Sequence, residues 1–532
     1  MSDFHFDFPD RFNLCDYFLD HNLREGRADK QALFCGTESR TYAEIAEGAR
    51  RVAAALRRLG HRPEERVLIV LPDCFEFAET FFGILRAGGV FAMVNPLLKR
   101  EDFDYYLSYS KARIVITHED VLAEIEPAAK AAPLCESVLV VGTESGERAS
   151  YADALAAEDP NSELAELAPT GPNDLAGWLF TSGSTGHPKA CVHMHRDFAF
   201  STETYAKRVA GYREDDVCLG VPKLFFGYAT GTNLMFPFAV GASAVLFQAR
   251  STADELFDQI DAHKPTFLTN VPTLINNMLR SPRMDEVDLS SLRLSLSAGE
   301  ALPPALLEEW SKRTSVEILD GIGSAEMFHI YISNYPGDVK PASLGRIVPG
   351  YEAQIIGEDG ALLATGEVGH LRVRGGSTAL CYWADKEKSN ETFQAEWCTS
   401  ADCFRVDEEG YYFYEGRSDD LLKVSGIFVS PLEIENELLR HDSIDEVCVV
   451  GRKEADGLVK PFAFIVLNES ANGSDALATE LKLFLKDSLA PFKYPRWFAW
   501  RKELPKNDRG KVARKLLRVE AEEPSLELSV PE

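Results

Sequence analysis

Between residues 41 and 96 the chain alternates helix-patterned segments with short, wholly apolar runs, and that alternation limits the folds open to it. In "TYAEIAEGARRVAAALRRLG" (41–60), Thr41 and Glu44 have capping-box spacing and apolar residues recur at helical period. "RVLIVLP" (66–72) reads as a strand buried on both faces, "CFEFAETFFGILRAGG" as a helix, and "VFAMVNP" as a second strand. Strands without a polar face need helices on both sides of a parallel sheet, so α/β layers are expected. The pattern returns at 244–275, where "AVLFQ" precedes the helical "ADELFDQIDAH" and then "PTFLTNVPTLI".

A length of 532 residues exceeds one ordinary core, so two or more domains are expected. From about 340 to 416 the runs shorten and turn signals multiply ("AQIIGEDGALL", "GHLRVRGG", "GYYFYEGR"), as in a β-rich module. After Arg417 the texture changes again: "PLEIENELLR" as a helix, "DEVCVVGR" and "PFAFIVL" as strands, then a basic helix. The expected organisation is a large domain over 1–418, a small α+β domain over 419–518, and an acidic tail at 519–532 without structure. The large domain would hold two α/β-layered sheets and the β-rich module.

Acidic residues outnumber basic ones 84 to 56, a formal charge of -28, which disfavours nucleic acid and anionic membrane as partners. The longest apolar stretch, "LMFPFAVGASAVLF" (234–247), falls short of the ~20 residues of a membrane span and is broken by Pro, Gly and Ser. The ten cysteines form no C-x-x-C pair and read as buried thiols of a reducing compartment. "MSDFHFDFPD" is acidic where a secretory signal is basic, so a cytoplasmic location is expected.

Chemistry first shows in "LFTSGSTGHPKA" (179–190), which follows a strand-like "AGWLF". Gly183 and Gly186 permit backbone angles that turn N–H groups toward an anion; Thr181, Ser182, Ser184 and Thr185 add hydroxyls, and Lys189 adds a charge. The bland alternative is a flexible surface loop, but such loops rarely follow a buried strand and end in Pro-Lys. A Walker A loop needs Gly-Lys-Ser/Thr, and here Gly186 is followed by His187-Pro188-Lys189.

This stretch resembles the signature loop of the adenylate-forming superfamily. "SAGEALP" (297–303), "DGIGSAE" (320–326), "TGEVGHLRVRG" (365–375), "EGRSDDLLKVSGIFVSPLEIE" (415–435) and "LPKNDRGKVARKLL" (504–517) follow in that family's order, so the likeness covers roughly 40–518. It implies an acid that attacks the α-phosphate of ATP and is then passed to a thiol, with ATP, Mg²⁺ and coenzyme A required. Thr181 to Gly186 and Lys189 would hold the β/γ-phosphates and Glu326 would ligate Mg²⁺. Gly299, Glu300, Asp320, Gly321, Ile322 and Gly323 would line the nucleotide. Asp402 would accept the ribose hydroxyls and Arg417 would reach ribose or phosphate. Lys511 matches the family's catalytic lysine, Asp419 the hinge of a mobile small domain, and Gly426 the tunnel for CoA. Residues 481–518 carry twelve Lys and Arg against three Asp and Glu, which independently suits a group delivered to anions. Most of those charges need be no more than a solvated helix face.

Two positions depart from the family pattern: Ala325 stands where Thr is usual, and Ala401 where Gly is usual. His193 and His195, beyond the loop, read as structural. "PKLFFGYATG" (222–231) lies where the acyl pocket begins and holds no carboxylate to pair an amine, which argues against amino acids. "KLFFGY" with "GIGSAEMFHIY" is similar to benzoate-type aryl-CoA ligases, and implies a flat pocket of Phe226, Gly227, Tyr228, Gly231, His329 and Ile330. The reading is therefore a ligase for a small aromatic acid (benzoate, 2-aminobenzoate or hydroxybenzoate) and CoA, with the substituent open. A stand-alone aryl-adenylating enzyme loading a carrier protein, and an inactive nucleotide-binding paralogue, stay as alternatives; the family analogy also allows a homodimer.

Overall fold

The computed structural model describes residues 6–142, 149–181, 187–417, 422–424, 427–453, 459–468, 471–490, 493–506, 512–523, 526 and 528–531. Thr41 caps the helix Tyr42–Arg58: its hydroxyl accepts the Glu44 N–H, and the Glu44 carboxylate accepts the Thr41 N–H at 2.7 Å. The buried stripe of this helix packs on the helix Phe75–Arg86, where Gly83 makes room, since a Cβ there would lie 2.5 Å from Val52. This helix pair covers an eight-stranded sheet.

That sheet has a parallel centre of Val90–Met93, Arg66–Val70, Ile114–His118 and Ser137–Val141. Leu175–Thr181 joins beside Val90–Met93 in parallel and then pairs antiparallel with Lys189–Met194. The Gly/Ser segment therefore connects a hairpin at the end of a buried strand, with Thr181 opposite Lys189.

The second sheet is nine-stranded. Ser243–Leu246, Val217–Gly220, Phe267–Asn270, Leu294–Ser297 and Ile318–Gly323 run parallel in that order, and Ile330–Ser333 turns back antiparallel. Gln31–Cys35, from the start of the chain, closes the far side in parallel with Ser243–Leu246. The β-rich module is an antiparallel sheet in which Trp397–Val406 pairs with Gly369–Arg374 and with Tyr412–Arg417. Two layered sheets and a β-module make up the large domain, as the sequence patterns imply.

The small domain centres on Ile444–Lys453, Val459–Leu467 and Trp497–Arg501. Alternate strand residues bury against Pro431–Leu438 and Asp475–Ser488 on one face and against Arg514–Ala521 on the other. Among the described residues, 481–518 hold the end of the helix Asp475–Ser488, the strand Trp497–Arg501 and the start of the basic helix Arg514–Ala521. The acidic tail, expected to lack structure, is docked among its described residues: Phe498 and Ser529 exchange backbone hydrogen bonds of 2.9 and 2.8 Å, and Trp500 Nε1 donates to Ser529 Oγ. Across the domains Ser430 Oγ donates to the Glu415 carbonyl at 2.6 Å and Arg280 pairs with Asp445 at 3.1 Å. Among the described residues no helix is long and apolar enough to cross a membrane, and none of the ten cysteines is in a disulfide.

Candidate active site

Thr181 and Lys189 mark the two ends of the Gly/Ser connection, whose residues Ser182, Gly183, Ser184, Thr185 and Gly186 lie outside the described residues. Its far end is anchored. His187 stacks on Tyr105 with centroids 4.6 Å apart, Tyr105 stacks on Tyr109, and the Tyr105 hydroxyl donates to the Pro188 carbonyl at 2.7 Å. Lys189 pairs with Asp385 at 2.9 Å and lies over the Tyr382 ring. The lysine thus holds the Asp385 carboxyl below its usual range.

Next to this hairpin, Ile318–Gly323 carries Asp320, Gly321 and Ile322 toward a tight turn at Ala325–Met327. Gly323 is required by close approach, because a Cβ would lie 2.5 Å from the His329 carbonyl oxygen. Glu326 sits on the turn, partly exposed, and its carboxylate accepts the Tyr382 phenol at 2.7 Å. Its carbonyl accepts the Ala379 N–H at 2.8 Å. Burial and then Glu326 push the adjacent Cys191 thiol well up, so this cysteine is an inert neighbour. Phe328 follows with φ 65° and ψ −58°, and the His329 N–H closes a three-residue turn onto the Met327 carbonyl at 2.8 Å. A bulky residue in that conformation costs of the order of 1–3 kcal/mol and persists only where its surroundings over-determine it. Here Ser377 Oγ donates to the Met327 carbonyl at 2.8 Å and the Phe328 ring packs on Phe198 at 4.5 Å.

Asp402 stands directly opposite Arg417 in the β-module, and Ser400 Oγ donates to its carboxylate at 2.9 Å. The buried Tyr331 phenol is pushed well up by burial first and then by the Asp402 charge. Gly299 has φ 87° after the strand Leu294–Ser297, and Glu300 accepts the Thr273 hydroxyl at 2.8 Å. Asp320 is buried opposite Ser297, and burial pushes its carboxyl up to about 8 despite the Ser297 hydroxyl beside it. The side chain of Arg417, and Asp419, Gly426 and Lys511 altogether, lie outside the described residues.

Tyr228 and Gly231, two of the residues expected to line the acyl pocket, pack against His329. Its ring, 2% exposed, is boxed by Tyr205, Tyr228, Phe236 and Phe328 at centroid distances of 4.5 to 5.4 Å. Burial holds it down to about 3, so it is neutral, and Nε2 donates to the Tyr228 carbonyl at 3.1 Å. Gly231 lies beneath it; a Cβ would come 2.4 Å from His329 Cδ2, so this glycine seats the histidine. Gly227 faces Leu179, Phe226 rests on Phe225, and Ile330 opens the returning strand opposite Gly323. Tyr228 Oη, His329 Nδ1 and Asp320 Oδ1 are buried here without a hydrogen-bond partner. A polar group on a ligand is one way such buried atoms gain partners.

Comparison with known proteins places the whole chain in a family. The "AMP-binding enzyme" model matches residues 19–383 and the "AMP-binding enzyme C-terminal domain" model residues 433–511. The chain belongs to the AMP-binding enzyme family. It is 44% identical to the benzoate–CoA ligase of Thauera aromatica, covering 96% of each chain. It is 39% identical to the 4-hydroxybenzoate–CoA/benzoate–CoA ligase of Rhodopseudomonas palustris, covering 95% of this chain and 94% of the relative. The crystal structure of the anthranilate CoA ligase AuaEII with anthranoyl-AMP matches with TM-score 0.91 and 39% identity over 97% and 98% of the two chains.

Within this family frame the structure adds residues that sequence reasoning passed over. Tyr382 and Asp385, in "CYWADKE", reach Glu326 and Lys189, yet nothing local in that string signals a site. His195 Nδ1 accepts the Leu14 N–H at 3.2 Å and ties down the start of the chain. His193 lies instead beneath the Glu326 turn.

Proposed function

We propose that this enzyme joins ATP, a benzoate-type acid and CoA to give the aryl-CoA thioester, AMP and pyrophosphate through an aryl-adenylate. The observation that carries this reading is the convergence of the Thr181/Lys189 hairpin, the Glu326 turn and the aromatic cluster around His329, in a chain similar over its full length to such ligases. The enzyme is an acid–thiol ligase of the AMP-forming class.

An aromatic carboxylate is ionised at neutral pH, so its attack on the α-phosphate needs no general base. The work is positioning and charge neutralisation. Thr181, the loop Ser182–Gly186 and Lys189 would hold the outgoing phosphates, Asp402 and Arg417 the ribose, and Gly299, Glu300 and Asp320 to Gly323 the adenine side. Glu326 fits Mg²⁺: it is a hard oxygen donor on a rigid, partly exposed turn. Among the described residues no group of three or more His, Cys, Asp or Glu could cage a metal, which suits an ion held by one carboxylate and substrate phosphates. Bound there, Mg²⁺ would offset phosphate charge. Lys511 would contact the carboxylate and α-phosphate, then leave as the small domain turns about Asp419 and presents the Gly426 tunnel to CoA.

The pocket also bears on the ring. His329 is neutral with Nε2–H committed to Tyr228, so Nδ1 is a bare acceptor. An amino or hydroxyl substituent offers it a donor; benzoate does not. The ten cysteines outside any disulfide support a reducing, cytoplasmic setting, and the homodimer the family allows belongs to the same proposal.

Lys511→Ala tests the two-step reading. Acid-dependent pyrophosphate release should fall by at least about 10²-fold, the scale for losing one electrostatic group, while CoA thioester formation from supplied aryl-adenylate stays near wild type. Equal loss in both steps would remove Lys511 from the role given to it.

A further inference from the structure

Beneath the Glu326 turn lies a polar pair that nothing in the proposed reaction uses. His193, on the strand Lys189–Met194, is fully buried, and so is Asp197 one turn into the following helix. His193 Nδ1 lies 3.0 Å from Asp197 Oδ2, and His193 Nε2 lies 2.7 Å from the carbonyl oxygen of Ala325. Asp197 Oδ2 also accepts the Met194 N–H at 3.0 Å, which fixes the carboxylate to the strand that carries the histidine. The imidazole nitrogen that faces away from Asp197 therefore falls on the peptide group that joins Ala325 to Glu326.

We infer that His193, oriented by Asp197, is a positioning residue for Glu326, working with Tyr382 to fix the turn that presents the metal-binding carboxylate. The hydrogen bonds around the turn support this. His193 takes the Ala325 carbonyl, the Ala379 N–H takes the Glu326 carbonyl, Ser377 takes the Met327 carbonyl, and Tyr382 takes the Glu326 carboxylate. The three carbonyls are thus held from two elements: Ala325 from the Lys189–Met194 strand, and Glu326 and Met327 from the segment leading into Cys381–Tyr382. With Ala at 325, the turn has no side-chain hydroxyl of its own there, and the carbonyl is the group left to grip. A fully buried histidine–carboxylate pair is a poor device for stability alone, since apolar residues of the same volume often do as well or better. Outer partners of a metal ligand, by contrast, typically change metal affinity or activity by about 10- to 100-fold when removed.

This inference rests on the reading of Glu326 as the Mg²⁺ ligand, so its test includes a readout that needs no acid and no turnover. Mn²⁺ would be titrated into the full-length protein with saturating ATP, and bound metal read by electron paramagnetic resonance, for wild type, His193→Leu, His193→Gln and Tyr382→Phe. His193→Leu should weaken metal binding about 10-fold or more, and the amide of His193→Gln, which can still donate to the Ala325 carbonyl, should restore most of it. In parallel, the leucine variant should lose pyrophosphate release while forming thioester from supplied aryl-adenylate at the wild-type rate, because that step does not use Glu326. Unchanged metal affinity, or equal loss in both half-reactions, would make the pair a packing feature and overturn the inference. Should His193→Leu not fold, Tyr382→Phe decides: it deletes one hydroxyl, keeps the ring under Lys189, and should weaken metal binding several-fold, with no change counting against the positioning account. If the wild type binds metal as expected but makes no aryl-CoA, the substrate reading fails while the role of His193 stands.

Discussion

Glu326 and His329 are three residues apart, yet the polar atoms around them are treated in opposite ways. Around Glu326 successive carbonyls of the turn and the carboxylate itself have donors, while Asp197 Oδ1, behind His193, is buried without one. Around His329, the atoms Nδ1, Tyr228 Oη and Asp320 Oδ1 are buried with none. The strained Phe328 lies between the two regions. A satisfied network holds one group where it must stand before the substrate arrives, whereas a buried, unpartnered set is costly until a ligand completes it. The first region is built for positioning and the second for recognition.

The sharpest way to break that comparison is at the positioned carboxylate. Glu326→Gln keeps an oxygen for Tyr382 but removes the charge, so pyrophosphate release should fall about 10²- to 10³-fold with thioester formation from supplied adenylate spared. Comparable activity in both half-reactions would show that the turn presents nothing essential. Next in size is the recognition side. His329→Leu should cost the aminobenzoate and hydroxybenzoate substrates about 1–3 kcal/mol of kcat/KM relative to benzoate, since one dedicated polar partner is lost. Unaltered preference among the three acids would take Nδ1 out of the pocket.

Gly231→Ala sharpens the same region through packing. The new Cβ meets His329 at 2.4 Å, so overpacking of about 1–3 kcal/mol is expected, read as a lower midpoint in urea, together with weaker acid binding. An unchanged midpoint would mean that His329 is not seated as described. The smallest effect is a pH dependence at Asp320. Its carboxyl is pushed up by burial to about 8 from an unfolded value of 3.8, so the native state keeps a proton that the unfolded chain loses. The stability it contributes is complete below about pH 4 and declines as pH rises toward 8. Asp320→Asn cannot titrate, so the melting temperature of wild type should fall relative to the variant between pH 5 and 8. Parallel curves would leave Asp320 ionised throughout.

Much of the frame was legible in the chain. The Thr41/Glu44 cap, the apolar runs at 66–72 and the turn-rich stretch from 340 announce local structure because each depends on neighbours in sequence. What stayed hidden depends on distance. Gln31–Cys35 is half-exposed and short, and becomes a strand only because Ser243–Leu246 pairs with it from more than 200 residues away. Ser529 docks because Phe498 and Trp500 offer partners to a tail whose composition looks unstructured. The same holds at the site. Glu326, Lys189 and His329 sit in motif strings, whereas Tyr382, Asp385, His193 and Asp197 acquire meaning from contacts between separate elements.

Competition among acids shows most directly whether this enzyme makes an aromatic acid into a CoA thioester. Purified protein with ATP, Mg²⁺ and CoA would be given equal amounts of benzoate, 2-aminobenzoate, 4-hydroxybenzoate, a cinnamate and a medium-chain fatty acid, and thioesters read by mass spectrometry. A dominant benzoyl-type thioester, with amino- or hydroxybenzoate ahead of benzoate, is the predicted result. A fatty acyl or cinnamoyl product, or pyrophosphate released with no CoA thioester at all, would contradict it.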